Sequence, residues 1–85
     1  MNISKINSTP FKGTIWVQAR YKDSLVKKNR KFDTDDIKKI KNYDSFTIIT
    51  LKDKYEYFVS QVPYEKIASA YKLAKDADVT VDFMG

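Results

Sequence analysis

The sequence predicts an α+β fold: a curved, mostly antiparallel sheet of about five strands in the order β-β-α-β-β-α-β, with one main helix over residues 63–77 packed on it. The alternative is a small open β-barrel with a C-terminal helix. Three observations carry this reading. Residues 14–22 alternate apolar and polar side chains with the period of a strand. Two apolar runs, 46–51 and 55–62, flank a short turn at Lys52, Asp53 and Lys54. After Pro63 the apolar spacing becomes helical and stays so to Ala77.

Each element has its own justification. Residues 1–10 are polar and aperiodic and read as a flexible N-terminal arm, with 11–85 as one small domain. Pro10 and Gly13 bracket a bend that leads into the first strand, and Phe11 is placed to anchor the arm. In the strand that follows, Ile15, Val17, Ala19 and Tyr21 point one way and Trp16, Gln18, Arg20 and Lys22 the other. Lys22, Asp23 and Ser24 form a turn like the later one at 52–54. In both, a central Asp can bond its own backbone and tolerate a left-handed conformation. Leu25 to Phe32 follows as an outermost strand, because lysines within a strand guard a sheet edge.

Asp33 to Asp36 opens a short helix, capped by Asp33 or Thr34, with Ile37, Ile40 and Tyr43 spaced to face inward. Residues 46–51 carry apolar groups on both faces, which predicts a central strand covered on both sides. Pro63 suits a first helical turn. On the helix, Tyr64, Ile67, Ala70, Tyr71 and Ala74 form the inward stripe, Glu65, Ser69 and Lys72 the wet side, and Leu73 falls off the stripe. Val79, Val81 and Phe83 alternate in a closing strand.

Composition narrows the chemistry. The 85 residues include neither cysteine nor histidine, so disulfides, the usual zinc sites and the commonest general base are absent. Gly13 and Gly85 are the only glycines, which removes the P-loop and dinucleotide motifs. Asp33, Asp35 and Asp36 lack the spacing of a calcium loop and are accounted for by helix capping. The reading is therefore a non-enzymatic protein with no cofactor, no metal and no small-molecule substrate. The N-terminus has no signal-peptide pattern, and no apolar run is long enough to span a bilayer. These features predict a cytoplasmic protein without membrane contact.

The net charge is +5, concentrated early: residues 1–31 carry eight basic side chains against one acid. Such an imbalance suits an anionic partner. Fourteen of the sixteen basic residues are lysine, a bias that an A/T-rich genome also produces. The candidate contact surface is Trp16, Arg20, Lys22, Lys27, Lys28, Arg30, Lys31, Tyr55 and Tyr57. There an indole and two tyrosines would stack bases while lysines meet phosphates. The competing reading packs Trp16 under a helix and the tyrosine pair in the core, which a chain this short needs.

Asp36 with Ile37 and Ile40, then Thr47 to Leu51, Tyr57 to Val59 and Glu65 to Ile67, resembles the small flagellar FlbD-type proteins. The same segment, residues 32–75, is similar to the LytTR DNA-binding domain of response regulators. The resemblance implies a small barrel-like sheet and, for the second family, DNA contact. The hairpin glycine common in such proteins is replaced by Lys52, Asp53 and Lys54, and no functional residue carries over. Function by subtraction is contact with a protein partner, as an adaptor or inhibitor. The alternatives are a nucleic-acid-binding module and a subunit of a larger assembly.

Overall fold

A computed structural model describes residues 2–5 and 13–83. The fold is α+β. Its strands are β1 (Asn2–Lys5), β2 (Thr14–Tyr21), β3 (Lys28–Asp33), β4 (Ile37–Tyr43), β5 (Phe46–Leu51), β6 (Glu56–Val59) and β7 (Val79–Asp82), with one helix, α1 (Tyr64–Ala77). The sheet runs β1-β7-β2-β6-β5-β4, and β3 pairs with β2. All pairings are antiparallel except β2 with β7, where Ile15 lies beside Val81.

β2 organises the sheet. It pairs with β3 from Thr14 to Ala19, with β7 from Thr14 to Trp16, and with β6 at Arg20 and Tyr21. Its alternation is the one expected: Ile15, Val17 and Ala19 are buried, while Trp16 is exposed. These inward side chains meet Ile49, Val59, Val79 and Val81 from the sheet and Ile67, Ala70 and Ala74 from α1, which form the core. The alanines let the helix lie close to the strands. Glu65, Ser69 and Lys72 face solvent, and Leu73 is exposed, as their places on the wheel require. The Pro63 carbonyl accepts the first helical amides, those of Lys66 and Ile67. The helix stops where Asp78 turns left-handed (φ 52°), and the Asp78 N–H donates to the Ala74 carbonyl.

Gly13 joins β2 to the helix end. Its φ is +86°, and a Cβ built on it would lie 2.1 Å from the Ala74 carbonyl oxygen. Its own carbonyl accepts from the Thr34 N–H at 3.1 Å and the Thr34 hydroxyl at 3.4 Å.

Several expectations are corrected. The segment read as a helix over 33–43 is a single 3-10 turn (Thr34–Asp36) followed by β4. The cap residue, Asp33, makes no side-chain hydrogen bond to that turn, and the Thr34 hydroxyl donates to the Gly13 carbonyl. Ile37 and Ile40 do share a face, but through a register shift between Ile37 and Lys39. A bulge adds one residue, so positions three apart meet on one side of a strand. With β4 and β1 included, the strands among the described residues number seven, against the expected five or so.

β5 is internal but covered by α1 on one face only: Thr47 and Ile49 are buried against the core, while Phe46 and Ile48 are half-buried on the other side. The outermost strand is shorter than expected, since Leu25 and Val26 lie in the exposed 22–27 connection. The left-handed residue of the 52–54 turn is Lys54, while Asp53 accepts the Tyr55 N–H through its carboxylate. Asp23 has no positive φ. Part of the arm, Asn2–Lys5, pairs with β7 in register and covers that strand's outer edge. The bend at Pro10 and the anchoring role of Phe11 lie outside the described residues. No helix among the described residues is long and apolar enough to cross a membrane.

Candidate binding surface

The helix covers one face of the sheet, and the opposite face defines the candidate site. Residues directly opposite in an antiparallel pair share a face. Trp16 pairs with Lys31, Arg20 with Phe58, Phe58 with Ile48, Ile48 with Lys41, and Phe46 with Tyr43. All of these side chains lie opposite α1. Arg20, Phe58, Phe46, Tyr43 and Lys41 form a connected row, and Trp16 stands on the same face further along β2. The Arg20 guanidinium sits 4.6 Å over the Phe58 ring. Phe58 and Phe46 are 4.9 Å apart at 36°, and Phe46 and Tyr43 are 5.5 Å apart at 50°. The Lys41 ammonium lies 5.8 Å from the Tyr43 ring centre.

Arg20 is held firmly. Its Nη1 donates to the Ser24 carbonyl at 3.2 Å and the Lys22 carbonyl at 3.4 Å, which ties the 22–27 connection to β2. Lys22 is 3.6 Å from Glu56 across the strands. Trp16 is 37% exposed and Tyr43 49%. Two buried polar atoms on this same face, Gln18 Oε1 and Thr50 Oγ1, have no hydrogen-bond partner.

The contact surface expected from the sequence is divided by the fold. Trp16, Arg20, Lys22 and Lys31 lie on the helix-free face. Arg30 lies opposite Val17, on the core side. Its Nε donates to the Ala19 carbonyl at 3.2 Å and its guanidinium stacks 4.9 Å from the Tyr57 ring. Tyr57 packs edge-on against Phe32 at 5.2 Å and Tyr21 at 5.7 Å, so it belongs to the core margin. Tyr55 is exposed and contacts Tyr21 at 5.6 Å. Lys28 is opposite Ala19, also on the core side, and Lys27 lies in the connection. Of the two competing readings, Tyr57 follows the core one, whereas Trp16 is not under the helix.

Sequence reading missed Tyr43, Phe46, Ile48, Phe58, Lys39 and Lys41. A signal for three of them, Phe46, Ile48 and Phe58, was present: the turn at 52–54 sets a register that puts Ile48 opposite Phe58, and β5 has apolar residues on both faces.

A second feature lies at the sheet edge. Ile37, Lys38, Lys39 and Ile40 of β4 and Tyr64, Ala68 and Tyr71 of α1 line a groove of about 220 Å³. The chemistry of both places is apolar and cationic. Among the described residues no three His, Cys, Asp or Glu side chains are grouped to hold a metal. Compared with family models, curated proteins and solved structures, the chain gives no match in any of the three.

Proposed function

We propose that this chain is a non-enzymatic binding module that works by contact with another protein through the helix-free face of its sheet. The observation behind this reading is the row of Phe58, Phe46 and Tyr43, with Ile48 and Trp16 on the same face, which no helix among the described residues covers. Contiguous apolar surface rimmed by polar groups marks interaction sites. Aromatic side chains with arginine are the usual anchors of protein contacts.

Two details favour a protein over a nucleic acid. Both arginines are engaged within the chain, by backbone carbonyls and by ring faces. One face of Phe58 is occupied by Arg20, and its neighbours are tilted against one another, so flat base stacking has little room.

The test is photo-crosslinking in lysate of the native host, with a photoreactive phenylalanine analogue at Tyr43 and, as control, at the exposed helix residue Lys66. Protein adducts from the first position and not the second are expected. Adducts equal from both positions would overturn the reading. So would oligonucleotide binding that falls steeply with salt.

A further inference from the structure

We propose that the free edge of β4, with the groove between β4 and α1, binds an extended acidic segment of a partner protein by strand addition. The inference rests on the reading of the chain as a protein-binding module and assigns the chemistry of what is bound.

Among the described strands β4 pairs only with β5. Its other edge therefore presents a row of backbone N–H and C=O groups along Ile37–Tyr43, and such an edge is a template for another strand. A nucleic acid has no matching ladder of amides. The groove is the second requirement. α1 packs beside β4, and its small Ala68 leaves a depression between the larger Tyr64 and Tyr71, floored by Ile37 and Ile40. A side chain projecting inward from an added strand would enter it.

Charge selects the occupant. Lys38, Lys39 and Lys41 lie along the edge strand, and the Lys75 ammonium stands 5.6 Å from the Tyr71 ring centre. No acid lines the groove; Asp36 and Asp44 stand just beyond the two ends of β4. Beyond the bulge, Ile40 and Asn42 face the helix side while Lys39, Lys41 and Tyr43 face the other way. The matching strand alternates apolar residues toward the groove with carboxylates toward Lys39 and Lys41.

The same lysines argue against a second copy of this chain. Two β4 edges side by side would set lysine against lysine, which is destabilising across strands. The basic β3 edge fits no better.

The test uses the full chain and a defined probe, a short capped peptide alternating glutamate and valine, followed by amide chemical shifts. Expected are saturable shifts confined to residues 37–43 and the first two turns of α1, with affinity falling at high salt. N-methylating those probe amides that would face β4 should weaken binding about tenfold or more, since each removes a ladder hydrogen bond. Lys38→Glu with Lys39→Glu should weaken it by about tenfold. Ala68→Trp, at a half-exposed site, should fill the groove and abolish binding with the remaining spectrum retained. Equal binding of a lysine–valine peptide, indifference to N-methylation, shifts elsewhere or no binding each overturn the inference. Crosslinks from Tyr43 without groove binding would remove this inference and leave the protein-binding reading standing.

Discussion

Gly13→Ala adds one methyl group where the backbone leaves no room for it. Two costs add. The first is conformational: φ at Gly13 is +86°, where an L-residue with a Cβ loses roughly 1–2 kcal/mol. The second is steric. The new Cβ would lie 2.1 Å from the Ala74 carbonyl oxygen and 2.5 Å from its carbon. Carbon–oxygen contacts stop near 3.3 Å, so the groups must separate by more than about 1 Å.

Both sides are backbone, so no side-chain rotation relieves the contact. The Ala74 carbonyl is also the acceptor that ends the helix, through the Asp78 N–H. Overpacking of this kind costs about 1–3 kcal/mol. The total is about 2–5 kcal/mol. An 85-residue domain has about 4–13 kcal/mol to lose. Urea unfolding should show a midpoint lower by about 1.3–3.3 M, taking a slope near 1.5 kcal/mol per molar. Gly13→Asn separates the terms, because asparagine accepts positive φ but still brings a Cβ. If both variants unfold within about 0.5 M of the parent, a shift worth under ~1 kcal/mol, the helix does not bear on Gly13.

Three further outcomes follow from the same structure. Asp78→Gly should stabilise by about 1 kcal/mol in thermal or urea unfolding, because it frees a left-handed residue and removes an acid from the negative helix end. Thr50→Val should be neutral or stabilising by about 1 kcal/mol, since the hydroxyl is buried without a partner; a clear loss of stability would reveal a bond to it. Ile67→Ala should cost about 2–5 kcal/mol, whereas Trp16→Ala, on the open face, should cost less than ~1.5 kcal/mol by the same assay.

What could be read from the sequence was periodic. β2, α1 and β7 have a period of two or 3.6, the β5–β6 hairpin is marked by two apolar runs around a turn, and each of these elements is present in the fold. β4 does not, because its bulge puts Ile37 and Ile40 three apart on one face, a spacing a helix also gives. β1 was hidden for another reason: its pairing with β7 joins residues some eighty positions apart, and nothing local in 1–10 announces it. The candidate surface was partly legible for a similar reason. Alternation correctly put Trp16 with Arg20 and Lys22. It could not show which strands stand beside them, and so missed Phe58 and Phe46 and did not show that Arg30 and Tyr57 turn toward the core.

The parallel seating of β7 against β2 fixes when this protein can be finished during its synthesis. β2 leaves the ribosome well before its partner, since Ile15 lies beside Val81. The hairpins and helix can form as they are made, while that edge of β2 waits, uncovered, until β7 has been made. Closure of so distant a pair is a slow step, and an open strand edge invites pairing with other nascent chains. Premature termination anywhere before residue 79 would thus yield a sticky, incomplete sheet and not a smaller stable domain.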